Sequence, residues 1–585
     1  MRISSALCFL LLLIISITMS CKSDRVVSDA ESIITVRLPS EPDMLNPARS
    51  SSSYATQIES HIMYPLAELD PQTYTLMPLL IETLANTEPI TQGLDSGGTV
   101  FHYKIRDEAS WDDGIPVTGY DYAFTIKMAL NPKVDNEVWR GFLTVVTNVQ
   151  VDPVEPKKFD VIIAEPYFLA EVVACNFNIY PAHIYDSTGY LKDIPVRLLT
   201  NPVHADSLAK RDPRLLQFAE SFMQVRFANE VVSGSGPYRL ASWLTGQRII
   251  LERKSDWWGD KVQNKPTLMN AYPQRIIYEI VPDENTALTM VKDGSIDVIA
   301  EVSPSAFIGL RSDSAFQDRL QFLTPKIPQY YCLELNNKNS ILRERNVRKA
   351  LSHVVDYQGI IDNVAQGMAQ RTIGPFHPDV EYYNHTIVEV PFDLAKAKAL
   401  LAEAGWSDTN GNGVLDKVIE GKRTELNLDI TVSQRPEGQA IALLLKENAA
   451  KVGIEIDIVT KDGALINQDA RNRTFEILPS RPRSDVTLVD PFQNWHSNSD
   501  APGGNNRCGF RNAEADSLMT VIRATESATE RNTSYKALQR VLAEEQPVIF
   551  LYVPLERLIV TKQFEMQPSS RRPGYFENLF VRADL

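Results

Sequence analysis

A turn that contains two glycines and a proline, followed directly by an alternating run, constrains the fold more than any other stretch. The turn occupies residues 233–237, and apolar and polar side chains alternate from Tyr238 to Trp243. Glycine permits a positive φ or a close backbone approach, and Pro237 fixes φ just before the run. Residues 244–247 reverse the chain before a second alternating run at 248–253. The pattern predicts a β-hairpin; the alternative, a phosphate-binding loop, lacks its Lys-Ser/Thr sequel.

Length and charge limit the class of protein. A chain of 585 residues is too long for one core, so we expect roughly three to four domain-sized units or fewer large lobes. A net charge of −15 argues against binding to nucleic acid or to anionic lipid by charge. Outside the N-terminal region the cysteines are Cys175, Cys332 and Cys508, widely scattered, which favours buried free thiols over disulfides.

The N-terminus has the features of an export signal. Arg2 precedes an apolar run from Ala6 to Ile17, which is short for a membrane span. The run ends in the segment TMSC, which resembles a bacterial lipobox with Cys21 as the lipidated residue, although Thr18 replaces the usual leucine. We therefore predict a signal peptide at 1–20 and a lipid-anchored tether at 21–32. Ordinary cleavage nearby and an uncleaved anchor are the alternatives.

Several motifs follow one another in a distinctive order. They are LNP at 45–47, FHYKIRDEASWDDGIPVTGYDYAFTIK at 101–127, SGSGPYRLASW at 233–243, ALTMVKDGSID at 287–297, VRKALSHVVD at 347–356 and KAKALLAEAGW at 396–406. Each motif is weak evidence alone. Their shared order, over nearly all of residues 33–555, resembles the family 5 substrate-binding proteins of ABC importers, the oligopeptide and dipeptide binders.

This resemblance implies an α/β fold of two lobes, the type II periplasmic-binding-protein or Venus flytrap arrangement, with an extra N-terminal subdomain. It places the first lobe at 33–280, the second at 281–553 and a return to the first at 554–585, with hinge crossings near Val281 and at 552–554. It implies a monomer on the periplasmic face of the bacterial envelope that closes on a ligand and docks on permease subunits. It implies no cofactor, no catalysis and no nucleic-acid partner.

The resemblance also implies an aspartate in the second lobe that receives the α-ammonium of a peptide ligand. Counting forward from Phe475 gives Asp485, and counting back from the pair Asp490-Pro491 gives Thr487. A buried cation needs a matched anion to offset its desolvation, so we expect Asp485 in this role. Thr487 stays open as the alternative.

Other residues of the same segments are candidate ligand contacts. Pro479, Arg481, Pro482 and Arg483 replace the family's Gly-Trp. We expect the two arginines to favour a ligand carboxylate or phosphate, with solvated loop charges as the alternative. Ser53 and Tyr54 follow the LNP loop and are expected to line the cleft of the first lobe. Trp495 is expected as an apolar wall of the cleft or as a core residue.

A loop at 408–416 has the appearance of a calcium site. Asp408, Asn410, Asn412 and Asp416 place oxygen donors at alternate positions, and glycine stands sixth. The twelfth position, which in an EF-hand carries a bidentate glutamate, is Ile419. The pattern therefore favours a turn held by Asn and Asp side chains, with a structural metal as the alternative.

The sequence lacks the motifs that would favour an enzyme. It contains no Gly-x-Ser-x-Gly and no His-Glu-x-x-His, and its eight histidines are scattered singly. Two other classes remain open: a sensing or scaffold lipoprotein that is not coupled to import, and an exported hydrolase. Within the binding class, the resemblance leaves peptide, oligosaccharide, metal chelate and haem open as ligands.

Overall fold

Two β-sheets, one in each of two lobes, organise the protein. A computed structural model describes residues 32–50, 52–483, 488–501 and 504–583, except for the side chains of residues 137, 138 and 464. The predicted two-lobed α/β fold is confirmed. The proposed signal peptide and Cys21 lie outside the described residues.

The first sheet has seven strands within the described residues. Ile33–Leu38 lies inside it, parallel to Arg275–Ile280 on one side and to Val298–Ile299 on the other. It buries Ile34, Val36 and Leu38, as its alternating sequence predicts. The strands in order across the sheet are Leu320–Leu323, Leu558–Thr561, Val298–Ile299, Ile33–Leu38, Arg275–Ile280, Arg248–Arg253 and Tyr238–Leu244.

The second sheet has six strands in the described part of the chain. Tyr331–Leu335 lies inside it, antiparallel to Val548–Pro554 and to Ile477–Ser480. The strands in order are Ala369–Arg371, Val548–Pro554, Tyr331–Leu335, Ile477–Ser480, Asn427–Val432 and Glu455–Thr460. Each lobe has its own hydrophobic core around its sheet, and a further cluster lies beneath residues 376–383 and the C-terminal helices of the second lobe.

The first lobe also carries an antiparallel subdomain, as the resemblance implies. Its four strands in order are Asn86–Pro89, Thr99–Lys104, Lys158–Ile163 and Val146–Val151. Smaller strand pairs are Ala67–Leu69 with Leu76–Pro78, Asp416–Ile419 with Lys422–Glu425, and Phe564–Glu565 with Val581–Arg582.

Helices cover both sheets. Those of the first lobe are Ser53–Ile62, Gly119–Leu130, Glu137–Leu143, Ala170–Cys175, Ala182–Tyr185, Arg197–Thr200, Pro202–Arg211, Pro213–Phe222, Arg226–Asn229, Glu284–Asp293, Pro304–Ser312 and Ser314–Gln317. Those of the second lobe are Arg345–Val354, Tyr357–Gly359, Leu394–Glu403, Pro436–Ala450, Gly463–Asn472, Phe492–Trp495, Ala513–Ala524 and Ala528–Glu545. Short 3₁₀ turns lie at Trp258–Lys261, Thr267–Met269, Ser497–Ser499 and Glu577–Leu579, and a π turn at Ile360–Val364. Among the described helices, none combines the length and the apolar character that crossing a bilayer requires.

The chain first crosses between the lobes after Leu323, and the predicted crossing near Val281 is wrong. Helix Glu284–Asp293 connects two parallel strands that flank Ile33–Leu38, so this unit remains in the first lobe. The strand Leu320–Leu323 still pairs in the first sheet, and Tyr331–Leu335 is already in the second. The return lies between Pro554 and Leu558.

The predicted hairpin is confirmed, and its glycines serve a close backbone approach. A Cβ on Gly234 would lie 2.2 Å from the Ile62 carbonyl oxygen, and one on Gly236 would lie 2.5 Å from that of His61. The Gly236 amide donates to the Ile62 oxygen at 2.8 Å. The turn is therefore pressed against the end of helix Ser53–Ile62, where only glycine fits.

The same helix is tied to the C-terminal segment by a buried carboxylate. Glu577 is 1% exposed, and Tyr278 Oη donates to its Oε1 at 3.1 Å. Gln57 Nε2 donates to the same oxygen, and His61 Nε2 lies 3.0 Å from Oε2. Because the carboxylate collects several buried partners, residues after the return crossing become part of the first lobe.

We expect Glu577→Ala to lower the free energy of unfolding by about 3 kcal/mol, because it leaves buried donors without an acceptor. Urea denaturation followed by circular dichroism measures the loss. Glu565→Ala, at an exposed position of the same C-terminal segment, is the control and should change stability by less than about 0.5 kcal/mol. A Glu577→Ala variant as stable as the control would contradict this role.

Candidate ligand-binding cleft

A cavity of about 870 Å³ lies between the two lobes. The first lobe contributes residues of helix Ser53–Ile62, of the segments 139–143 and 167–178, and Arg571. The second lobe contributes Tyr330 and its strand, the segments 481–483 and 488–495, and residues 505–508. The volume falls within the range of small-molecule and cofactor sites.

Strand alternation decides which side chains of the second sheet reach the cavity. Tyr330, Cys332 and Glu334 line it, whereas Leu333 and Leu335 point into the core of the second lobe. Alternate side chains of a strand lie on opposite faces, so this pattern follows from the extended backbone. The cavity therefore has one wall formed by an aromatic ring, a thiol and a carboxylate.

An ion cluster at the hinge joins the lobes behind this wall. Glu301 of the first lobe accepts a hydrogen bond from Tyr54 Oη at 3.1 Å and lies 3.5 Å from Arg435 and 3.9 Å from Arg481. Burial disfavours the charged form of Glu301, but the positive charges of Arg481 and of other arginines outweigh burial and hold its pKa below the usual range. Glu301 also has a positive φ of 56°, a strained conformation for a residue with a side chain.

The residues predicted in the first lobe lie at the hinge end of the cleft. Ser53 and Tyr54 begin the helix Ser53–Ile62, but neither lines the cavity. Burial, and then the charge of Glu301, raise the pKa of the Tyr54 hydroxyl well above its usual value, so this group remains a donor to Glu301. Further along the same helix, Thr56 and Glu59 line the cavity.

Both predicted arginines line the cavity, Arg481 as a half-buried side chain and Arg483 as an exposed one. Arg481 stacks on the Tyr331 ring at 5.1 Å and faces Glu301, so its charge is already partnered. Arg483 is exposed and forms a β-bridge with Gln329. Asp485 and its alternative Thr487 lie outside the described residues.

Trp495 combines the two alternatives that the sequence left open. It is 5% exposed and packs edge-to-face on Phe510, with ring centroids 6.4 Å apart, and against Phe550 at 6.0 Å. It also lines the cavity. The ring is therefore a core residue whose remaining surface forms an apolar part of the cavity wall.

Contacts across the mouth of the cleft hold the lobes together. Tyr167 Oη of the first lobe donates to Asp490 Oδ2 at 3.0 Å, and Arg523 Nε donates to the same oxygen at 2.7 Å. The Arg523 guanidinium lies 5.0 Å above the Tyr167 ring. The backbone carbonyl of Arg523 accepts a hydrogen bond from the Phe168 amide at 3.0 Å. We call Tyr167, Asp490 and Arg523 the latch. It is formed by residues from both lobes, so it belongs to the closed arrangement.

Several polar residues of the cavity were not predicted from the sequence. They include Glu59 and Glu68 of the first lobe and Glu334 and Arg507 of the second. The alternation of Tyr330, Cys332 and Glu334 was the available signal for one of them. Glu59 lies on a helix, Glu68 on strand Ala67–Leu69 and Arg507 in a loop, and no spacing along the chain brings them together.

The calcium-like loop uses its carboxylates internally. Asp408 accepts from the amides of Gly411 and Gly413 at 2.6 and 3.0 Å. Asp416 accepts from Arg423 at 2.8 Å, and this bond, followed by the Thr409 amide, lowers its pKa to about 2. Asn410 and Asn412 donate through their side chains to Glu425. In the described residues, no group of three or more His, Cys, Asp or Glu is placed to hold a metal ion.

We expect Tyr167→Phe to open the cleft. The change deletes the bond to Asp490 but keeps the ring under Arg523, and a lost hydrogen bond to a charged group costs about 1.5 kcal/mol. The ratio of closed to open molecules should therefore fall about tenfold. Single-molecule fluorescence transfer between dyes at exposed Val154 and Val418, one in each lobe, measures this ratio.

Tyr120→Phe, an exposed tyrosine of the same lobe, serves as the control for this measurement. It should leave the transfer distribution unchanged. Equal closed fractions in Tyr167→Phe and the control would rule out the latch as a determinant of closure.

Comparison with known proteins places the chain in a family. The family model for bacterial extracellular solute-binding proteins, family 5 Middle, matches residues 78–504. The oligopeptide-binding protein AppA of Bacillus subtilis (strain 168) is 27% identical over 531 residues, which is 90% of this chain and 87% of AppA.

Solved structures share the two-lobed fold. The structure of AppA from Bacillus subtilis in complex with a nonapeptide has a TM-score of 0.76 at 23% identity and covers 94% of this chain and 99% of that one. NikZ from Campylobacter jejuni in complex with Ni(L-His) has a TM-score of 0.73 at 21% identity, covering 94% and 97%. The match of the family model over most of the chain shows that this protein belongs to family 5 of the bacterial extracellular solute-binding proteins.

Proposed function

We propose that this solute-binding protein captures a peptide between its lobes and delivers it to the permease of an ABC transporter. The observation that carries the proposal is the cavity of about 870 Å³, which is lined by residues of both lobes and by alternate side chains of a sheet strand. Similarity to AppA, an oligopeptide-binding protein whose structure holds a nonapeptide, supports peptide as the ligand class.

The walls of the cavity suit an extended ligand. Strand Ile477–Ser480 runs into residues 481–483, which line the cavity, and Arg483 pairs with Gln329 in an isolated bridge. Extended backbone of this kind can exchange main-chain hydrogen bonds with a peptide, which gives affinity without demanding one side-chain sequence. Trp495 supplies an apolar surface beside it.

The charged ends of the peptide need partners inside the closed cleft. We assign the α-ammonium to Asp485, four residues after the cavity-lining Arg481. For the ligand carboxylate, Arg481 is less suitable than its position in the sequence suggests, because Glu301 already faces it. Arg507 lines the cavity and makes no ion pair with the described residues, so we assign the carboxylate to Arg507, with Arg483 beside the same cavity.

Closure follows from the hinge and the latch. A ligand that contacts both walls binds the closed form better than the open one and shifts the population toward closure. Opening would separate Tyr167 from Asp490. It would also move Tyr54 and Glu301 of the first lobe away from Arg481 of the second lobe. The closed form would be the one that docks on the permease.

Capture of a free-amine peptide tests the proposal. Native mass spectrometry of the protein mixed with a casein digest should detect bound peptides, and calorimetry should then measure the best-bound peptide and its N-acetylated form. Asp485→Ala should weaken binding of the free amine at least about 100-fold, because it leaves a buried cation without its anion. For the N-acetyl form, the variant and the wild type should bind alike.

The result distinguishes the two candidate anchors. Thr487→Val should retain affinity for the free amine. A loss in Thr487→Val with none in Asp485→Ala would move the anchor to residue 487. No bound peptide from the digest at any concentration would reject peptide capture itself.

We also propose that a lipid on Cys21 anchors the protein on the periplasmic face of the bacterial envelope. The apolar run before Cys21 and the small residues beside it support this assignment. Cys21→Ala should abolish incorporation of labelled palmitate and move the protein from the membrane pellet to the soluble fraction. Ser20→Ala, which keeps a small residue before the cysteine, is the control and should remain labelled. A Cys21→Ala protein that stays in the pellet would argue for an uncleaved anchor.

A further inference from the structure

Glu334 is a buried acid without a partner on the second-lobe wall of the cavity. It is 6% exposed, and its side chain projects from strand Tyr331–Leu335 on the face that lines the cavity. Within the described residues, its carboxylate forms no hydrogen bond and no ion pair. A carboxylate that leaves water without gaining a partner is destabilised, so a cation placed beside Glu334 by a ligand would be favourable.

Glu59 is a second such acid on the opposite wall. It lies on helix Ser53–Ile62, is 2% exposed and lines the same cavity. Its Oε1 is fully enclosed and has no hydrogen-bond partner. Burial, and then the negative charge of Asp43, raise the pKa of this carboxyl well above its usual range, as expected for an acid that has no cation beside it.

The other acids that line the cavity are already partnered. Arg571 donates to Glu68 at 2.8 Å, and Asp490 belongs to the latch. Glu59 and Glu334 therefore differ from their acidic neighbours in having no arginine or lysine within ion-pair distance among the described residues. A ligand that enters the cavity meets these two acidic groups from opposite lobes.

We propose that the cleft selects peptides that carry lysine or arginine side chains, one received by Glu334 in the second lobe and another by Glu59 in the first. The inference rests on the proposed function, since it specifies which peptides the site takes. A ligand cation placed beside either carboxylate offsets desolvation of both groups at once, which a neutral side chain cannot do. Because the two acids belong to different lobes, a dibasic peptide also draws the lobes together.

A positional scan of synthetic pentapeptides tests the selection on the wild-type protein. Each alanine of pentaalanine is replaced in turn by lysine, by norleucine or by glutamate, and calorimetry measures each affinity. Norleucine has the apolar length of lysine without its charge. At one or two positions, lysine should bind at least 10-fold more tightly than norleucine and at least 100-fold more tightly than glutamate.

Isosteric variants assign each preferred position to its acid. Glu334→Gln should abolish the preference for lysine at one position and Glu59→Gln at the other. Glu403→Gln removes an exposed charge from the second lobe and is the matched control. Melting curves of all three variants check folding, and the scan on the wild type remains decisive where a variant is unstable.

The outcomes separate this inference from the function on which it rests. Equal binding of lysine and norleucine peptides at every position would overturn the cationic selection and leave peptide capture intact. A lysine preference that survives both Glu334→Gln and Glu59→Gln would overturn the assignment to these two acids. Failure of every pentapeptide, charged or neutral, would reject peptide capture as well.

Discussion

The structure depends on the ion cluster where the chain passes between its two sheets. Within the described residues, the chain passes from one lobe to the other between Leu323 and Tyr331 and again between Pro554 and Leu558. Glu301, which has a strained positive φ, accepts a hydrogen bond from Tyr54 of its own lobe and pairs with Arg481 of the other lobe. The negative charge of Glu301 in the first lobe is therefore balanced by an arginine of the second. Buried charges require partners, so when the lobes separate, water must replace the partners that Glu301 and Arg481 lose. The hinge therefore limits both how the lobes move and which arginines remain available to a ligand.

The same rule of charge balance explains how the cleft divides its polar residues. Side chains that fasten the closed form, such as those of the latch, are paired across the lobes. Arg481 belongs to this group, although its sequence position suggested a ligand contact. Glu59, Glu334 and Arg507 line the same cavity without ion-pair partners among the described residues. In a closed low-dielectric space, groups left unpaired by the protein are the ones that decide which ligand charges are favourable.

Much of the local structure could be predicted from local patterns. The hairpin at Tyr238–Leu244 and Arg248–Arg253, the strand Ile33–Leu38 and the helix that ends before Gly294 were all readable from alternation, turn residues and caps. The point at which the chain first leaves the first lobe could not be predicted in this way, because the segment from Glu284 to Leu323 has the pattern of any helix and strand pair. Only pairing of Val298–Ile299 beside Ile33–Leu38 assigns it to the first sheet. Trp495 was left between wall and core by its sequence, and its packing makes it both.

By itself, the sequence determined the elements, their order and the family to which that order belongs, because periodicity and turn chemistry act between neighbours in the chain. Gly234 and Gly236 marked a turn in the sequence, but the reason that they must be glycine, contact with the end of helix Ser53–Ile62, is tertiary. The tertiary structure alone decided which carboxylates are paired. Glu59 and Glu68 lie on adjoining segments, yet Glu68 pairs with Arg571 whereas Glu59 faces the cavity without an ion-pair partner among the described residues. Electrostatic partners are chosen by distance in space, and the closing of two lobes joins residues hundreds of positions apart.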